Sequence, residues 1–150
     1  MNTTAIEKAM KTRCGRKFLG VYAIDRLPLK LPRRRPPMMI CNTDPHYEKG
    51  EHWVAIYFGD DGSGEYFDSF GRLPGHLISN YLNKNCSVWR YNKRQLQSVV
   101  SYYCGQYCIF YCLYRSVGYD MDNILKCFGR DTGLNDWFVH EFICRMLNIV

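Results

Sequence analysis

Four residues, in a fixed order along the chain, have the side chains needed for catalysis by a thiol: His52, Asp68, Gln97 and Cys104. The ordinary pKa of a thiol is about 8.5, so Cys104 needs a neighbouring base to ionise at neutral pH. His52 is the natural proton acceptor, and Asp68 would accept a hydrogen bond from the other nitrogen of its ring. Gln97 would donate a side-chain N–H to an oxyanion, together with the backbone N–H of Cys104. The four residues therefore predict acyl transfer through a cysteine.

The hydrophobic patterns around these residues indicate which elements would hold them. His52 opens a strand-like segment over residues 52–58, and Asp68 lies in a second one over residues 65–70. The polar, glycine-containing loop 60–64 between them predicts an antiparallel hairpin. Cys104 begins an apolar segment that predicts a central helix over residues 104–117, where the helix dipole would favour the thiolate.

The rest of the chain predicts short strands and flanking helices. Together with the hairpin they predict an α+β fold, in which a mixed β-sheet packs against the central helix that carries Cys104 at its N-terminus. Residues 1–150 are expected to form a single domain. The N-terminal helix is expected to use Thr3 or Thr4 as its cap, with Glu7 in the capping-box position. The remaining predicted segments are helices at residues 4–11, 77–82, 120–128 and 134–147, and strands at residues 18–22, 38–42 and 87–91.

Taken singly, none of the four residues is distinctive. A histidine before a strand, an aspartate after one, a glutamine in a polar segment and a cysteine in an apolar helix all have ordinary structural uses. Their joint order and spacing are what favour catalysis. The alternative from a different class is a non-enzymatic protein that binds nucleic acid through its basic residues.

The same residues and their neighbours resemble those of the adenovirus-type (adenain-like) cysteine endopeptidases, which share a clan with the SUMO-deconjugating proteases. Histidine, acid, glutamine and cysteine occur in the same order in that family, and the resemblance covers residues 18–118. Asp68 departs from the adenoviral members, which carry Glu there, and agrees with the SUMO-protease branch. The matching segments are Phe18-Leu19-Gly20-Val21-Tyr22, His52-Trp53-Val54-Ala55, Asp68-Ser69-Phe70-Gly71, and Gln97 with Cys104-Gly105.

This resemblance implies an activity and a setting. The chain would be a cysteine endopeptidase that cleaves viral or virus-like precursor proteins by a thiolate–imidazolium, acyl-enzyme mechanism. Its sites would have small residues such as Gly before the cut. Its source would be a virus or a Maverick/Polinton-type element, and it would act in the host nucleus or in a virion-like particle. A protease that deconjugates ubiquitin-like (SUMO-type) proteins is the alternative with the same chemistry.

Eight cysteines could indicate a secreted disulfide scaffold or a zinc module. No signal-peptide core lies in the first thirty residues, which argues against secretion and favours a reducing, intracellular compartment. No Cys-x-x-Cys pair occurs, which argues against a zinc module, and neither a metal nor a small-molecule cofactor is expected. Cys108 and Cys112 follow Cys104 at helical spacing and are expected in the core. Cys86 lies where the resemblance places a disulfide to a short activating peptide; a half-buried cysteine at a strand start is the open alternative.

Basic residues form two clusters in a chain whose formal net charge is +6. Such clusters attract polyanions through counterion release, and the resemblance implies non-specific DNA binding as an activating interaction. A solvated loop, or a nuclear-import signal at the first cluster, explains the same residues. No segment is apolar enough to predict a membrane span. The clusters are Arg33, Arg34 and Arg35, and then Arg90, Lys93 and Arg94.

Overall fold

The computed structural model of the chain describes residues 1–32 and 37–148. Its helices and strands confirm the predicted α+β class. Two single-turn 3-10 helices, Gly15–Lys17 and Ile24–Arg26, lie on either side of the first strand. The elements in chain order are α1 (Thr3–Cys14), β1 (Phe18–Ala23), β2 (Met38–Asn42), β3 (Trp53–Phe58), β4 (Ser63–Phe67), α2 (His76–Asn85), β5 (Val88–Tyr91), α3 (Cys104–Ser116), α4 (Met121–Leu125) and α5 (Thr132–Leu147).

The five strands form one mixed sheet in the order β1-β2-β3-β4-β5. The central strands β2, β3 and β4 pair antiparallel, and the predicted β3–β4 hairpin is present, with Ala55 opposite Phe67. The outer strands β1 and β5 pair parallel with β2 and β4 respectively. A parallel pair needs a crossover connection, and α2 lies in the crossover between β4 and β5. The predicted mixed sheet is therefore confirmed.

Helices cover both faces of the sheet. Strand β2 is buried along its whole length, because its alternate side chains enter two different cores. Met38 and Ile40 join the core that contains α1, α3 and α5, whereas Met39 and Cys41 join the core beneath α2. Residues 104–112 of α3 are all buried, which explains why this helix is apolar on every side. Both Cys108 and Cys112 are fully buried, as predicted.

The predicted start of α1 and the predicted end of β4 were wrong. Helix α1 is capped by Asn2, whose Oδ1 accepts a hydrogen bond from the Ala5 N–H at 2.9 Å, and not by Thr3 or Thr4. Glu7 makes no capping box and instead pairs with Lys11 one turn later, at 2.7 Å. Strand β4 ends at Phe67, so residues 68–70 are not strand. The chain turns there because Asp68 Oδ1 accepts the Phe70 N–H at 2.9 Å.

In the part of the chain that the structure describes, no helix is both long and apolar enough to cross a membrane. Over the same residues, no group of three or more His, Cys, Asp or Glu side chains is arranged to hold a metal ion.

Candidate active site

The β3–β4 hairpin brings His52 and Asp68 together. His52 immediately precedes β3 and Asp68 immediately follows β4, so the antiparallel pairing places both at the same end of the hairpin. The imidazole Nε2 lies 2.7 Å from Asp68 Oδ1. The carboxylate is nearly buried, with 3% of its side chain exposed, against 19% for the imidazole. Asp68 therefore holds the ring orientation and leaves Nδ1 as the nitrogen free to face the nucleophile.

Cys104 is the first residue of α3, where the helix dipole favours a negative charge. Burial raises the pKa of the Cys104 thiol, but a hydrogen bond from His52, the backbone N–H of Trp53 and the charge of His52 outweigh burial, so the pKa is lowered. Burial likewise opposes protonation of His52, yet its bonds to Asp68 and Cys104 raise its pKa to about 9. Both directions favour a thiolate beside an imidazolium.

Gln97 is buried in the segment between β5 and α3 and is bonded to Ser69, the residue after Asp68. Its side-chain Oε1 accepts a hydrogen bond from the Ser69 hydroxyl at 2.6 Å, and its Nε2 donates to the carbonyl oxygen of Ser101 at 3.0 Å. The backbone N–H of Gln97 also donates to the Ser69 carbonyl, at 3.0 Å. The hairpin end that carries Asp68 therefore also anchors Gln97.

Asn92 supports the site and was missed in the sequence. Its Oδ1 accepts the Asp68 N–H at 2.8 Å, and its Nδ2 donates to the Asp68 carbonyl at 2.6 Å. Strands β4 and β5 are parallel, with Tyr66 beside Tyr91, so the residues that follow them meet at one edge. A polar residue directly after the predicted strand 87–91 was the available signal. Asn92 fixes the backbone of Asp68 from both sides.

Aromatic side chains pack beside His52 and beside the residues that flank Cys104. Trp53 packs over Gly105, where an added Cβ would meet Ile6 Cδ1 at 3.3 Å and Trp53 Cδ1 at 3.5 Å. The Phe70 ring lies 5.0 Å from the imidazole of His52, measured between centroids. Tyr103 stacks on His140 of α5 at 4.9 Å. A side chain at position 105 would therefore be in close contact with Ile6 and Trp53.

Cys86 lies away from this pair. It follows the last residue of α2, is half-buried, and packs against the core beneath α2, on the face of the sheet opposite α3. Burial raises the pKa of its thiol. All eight cysteines are free thiols. A disulfide from Cys86 to an activating peptide stays a prediction.

Two residues of the second basic cluster, Arg90 and Arg94, are exposed but bond to other parts of the protein. Arg90 pairs with Glu65 at 3.1 Å and with Asp122 at 3.2 Å. Arg94 Nη2 donates to the carbonyl oxygens of Leu125 and Phe128, both at 2.8 Å. Lys93 is exposed. The residues of the first cluster, Arg33, Arg34 and Arg35, lie outside the described residues. DNA binding stays a prediction.

Sequence comparison identifies viral proteases as relatives. No protein-family model matches the chain. The protease of Bovine adenovirus 4 is 29% identical over 125 residues, which cover 72% of this chain and 62% of that protein. The putative thiol protease R355 of Acanthamoeba polyphaga mimivirus is 31% identical over 98 residues, covering 58% of this chain and 32% of that protein. The chain thus spans less than two thirds of the length of either relative.

Solved structures share the fold. The ASFV pS273R protease superposes with a TM-score of 0.61 at 19% identity, covering 93% of this chain and 66% of that chain. The SUMO protease Ulp1 superposes with a TM-score of 0.50 at 15% identity, covering 98% of this chain and 78% of that chain. ChlaDub1 from Chlamydia trachomatis superposes with a TM-score of 0.54 at 12% identity, covering 77% of this chain and 61% of that chain. The chain is therefore similar in sequence to an adenovirus protease and to a putative viral thiol protease, and it shares its fold with the ASFV pS273R protease and the SUMO protease Ulp1.

Proposed function

We propose that the chain is a cysteine endopeptidase that cleaves precursor proteins through a thioester intermediate. One observation carries the proposal: the His52 imidazole is hydrogen-bonded to the buried Asp68 at 2.7 Å, and Cys104, whose pKa His52 lowers, is the first residue of a helix. The imidazolium and the helix dipole both favour a negative charge on the sulfur, and the carboxylate supports them by favouring the imidazolium. A structural cysteine has no need of that combination.

The mechanism follows from these positions. The Cys104 thiolate attacks the peptide carbonyl carbon, and the C=O electron pair moves to the oxygen, where Gln97 and the Cys104 backbone N–H donate hydrogen bonds. The tetrahedral intermediate collapses, the C–N bond breaks, and the His52 imidazolium protonates the departing amine. His52, now neutral, takes a proton from water as that water attacks the thioester. The acid is released, and the thiolate and imidazolium are restored.

The experiment is hydrolysis of a peptide library by the wild type and by single cysteine variants. Cys104→Ala and Cys104→Ser are expected to abolish cleavage while keeping the fold, because no other side chain supplies the nucleophile. Cys127→Ala is the matched control. Cys127 is an exposed residue, and the partial burial of its thiol raises its pKa, so it is not activated as a nucleophile. Wild-type cleavage by Cys104→Ala would end the proposal.

We propose small residues, Gly among them, before the scissile bond. Trp53 packs directly over Gly105, so the approach to the sulfur of Cys104 is bounded by a bulky ring. Peptides that differ only in Gly, Ala or Val at the position before the cut should be cleaved in falling order. Cleavage of the Val peptide as fast as the Gly peptide would contradict this part of the proposal.

Deconjugation of ubiquitin-like proteins is the second candidate, favoured by the shared fold with the SUMO protease Ulp1. It uses the same chemistry on a different substrate. Side-by-side digestion of ubiquitin-like precursors and of unstructured peptides with Gly-containing sites separates the two. Cleavage confined to the folded precursors would replace the endopeptidase proposal.

Two activators and a place of action are proposed from the family alone. A short peptide would form a disulfide with Cys86. DNA would bind to the two basic clusters, Arg33, Arg34 and Arg35, and Arg90, Lys93 and Arg94. The protein would act in an infected nucleus or in a virion-like particle, without a metal. Hydrolysis measured with and without duplex DNA, at low and at raised salt, tests the DNA part, because phosphate contacts weaken steeply with salt.

A further inference from the structure

The side-chain amide of Gln97 is held at both of its ends. Oε1 lies 2.6 Å from the Ser69 hydroxyl, and Nε2 lies 3.0 Å from the carbonyl oxygen of Ser101. The exposed fractions of Ser69 and Gln97 are 0% and 1%. Water cannot compete for bonds at such buried atoms, so both contacts keep the amide in one orientation.

The direction of each bond follows from the donors and acceptors available. A carbonyl oxygen only accepts, so the amide atom that faces Ser101 is the nitrogen. The amide oxygen then faces Ser69, whose hydroxyl must donate to it. Ser101 takes one of the two N–H groups of Gln97, and within residues 1–32 and 37–148 no acceptor binds the other. That second N–H is the one an oxyanion can use.

Ser69 also fixes where the Gln97 backbone lies. The Ser69 carbonyl accepts the N–H groups of Leu96 at 2.8 Å and of Gln97 at 3.0 Å. Its chain neighbour Asp68 binds His52 at 2.7 Å. The dipeptide Asp68-Ser69 therefore contacts both the base and the oxyanion donor.

We propose that Ser69 is a positioning residue of the oxyanion site, whose hydroxyl aligns the Gln97 amide before substrate arrives. This deepens the proposed function and rests on it. Without the hydroxyl, Oε1 is a buried acceptor that lacks a donor, which is costly, and the amide turns to find one. An oxyanion donor is effective only when it is aligned in advance, so turning the amide lowers the rate of acylation.

The test compares two reactions of Cys104 in Ser69→Ala. Removing an oxyanion donor costs about 10²–10³ in kcat, so misaligning one should lower kcat by about tenfold or more with little change in KM. Alkylation of Cys104 by iodoacetamide forms no oxyanion, so its rate should equal that of the wild type. Ser116→Ala is the matched control: it removes another hydroxyl-to-carbonyl bond of 2.6 Å, to Leu113 at the far end of α3, and should leave both rates unchanged.

A double-mutant cycle shows whether Ser69 acts through Gln97. Adding Ser69→Ala to Gln97→Ala should lower kcat by less than about twofold further, because the aligned group is already gone. Ser69→Cys keeps a similar size with a weaker donor and should give an intermediate kcat, which covers the case where the alanine variant unfolds.

Wild-type kcat in Ser69→Ala, slowed alkylation in that variant, or a full additional loss in the Gln97→Ala background would each overturn the inference. Failure of the proposed function looks different, since the wild type itself would then show neither hydrolysis nor selective alkylation of Cys104.

Discussion

Replacing Asp68 by Asn tests the electrostatics of the site, because it removes a charge and keeps the shape. The pKa of His52 rises from the ordinary 6.5 to about 9 in the folded protein. Each pKa unit corresponds to about 1.4 kcal/mol, so the imidazolium is stabilised by roughly 3 kcal/mol. Burial opposes protonation of His52, and Asp68 raises its pKa through a hydrogen bond and through its charge, in both cases ahead of Cys104. The pKa of His52 should therefore fall in Asp68→Asn.

The direction of the effect on Cys104 follows from the coupling. His52⁺ is one of the groups that lower the pKa of the thiol. When the pKa of His52 falls, less imidazolium is present near neutral pH, and the pKa of Cys104 rises. The onset of thiolate reactivity should then move to higher pH. At about pH 6 the alkylation rate of Cys104 should therefore fall, by about tenfold for each ~1.4 kcal/mol of thiolate stabilisation that is lost.

The assay is alkylation of each cysteine by iodoacetamide across a pH series, quantified by mass spectrometry. NMR titration of the His52 ring measures the pKa of His52 directly, and in Asp68→Asn this pKa should fall from about 9. Asp131→Asn is the control, because Asp131 caps α5 by accepting the Leu134 N–H at 3.1 Å and Asn can cap in the same way. An unchanged alkylation profile and an unchanged His52 titration in Asp68→Asn would refute the reasoning.

The other predictions concern stability and are measured by urea unfolding. Glu65→Ala should destabilise the fold by about 3–5 kcal/mol, because it leaves the guanidinium of Arg115 without its buried partner, which lies at 2.8 Å. A loss of stability below about 1 kcal/mol would contradict this reasoning and mean that water replaces the carboxylate. Gly71→Ala should cost about 2 kcal/mol or more, since Gly71 has φ +67° and a Cβ there would lie 2.5 Å from the backbone of Arg94. Gly75→Ala meets no atom within 4 Å and should cost under about 1 kcal/mol, so similar losses in the two glycine variants would contradict the steric argument.

The sequence predicts well wherever local patterns decide the structure. Strand β2 was placed at its observed bounds because an apolar segment lies between a proline and a polar loop. Helix α3 begins at Cys104 as predicted and ends at Ser116, one residue before the predicted end. The cap of α1 was misplaced because Asn2, Thr3 and Thr4 can all cap a helix, and sequence alone does not choose among neighbours that compete.

Contacts between distant segments were not predictable in the same way. Arg90 and Arg94 look like part of a basic surface cluster, yet their partners are Glu65, Asp122 and carbonyl oxygens at the end of α4. Those partners come close only once β5 pairs with β4 and α4 docks beside them. Charge clusters in a sequence record which residues are basic, but the fold decides which of them stay available to a polyanion.

The geometry of the site also explains why its residues are spread so widely along the chain. In the proposed mechanism the base and its acid need fixed positions at one sheet edge, which a hairpin end provides, whereas the nucleophile is favoured by a helix N-terminus, which stabilises its charge. The segment between β5 and α3 must connect the two, and it carries Gln97. Since Ser69 binds this segment next to Asp68, a shift of the hairpin end would disturb the base and the oxyanion donor together. Substitutions at this edge should therefore lower kcat through both groups at once, and their effects should not be additive.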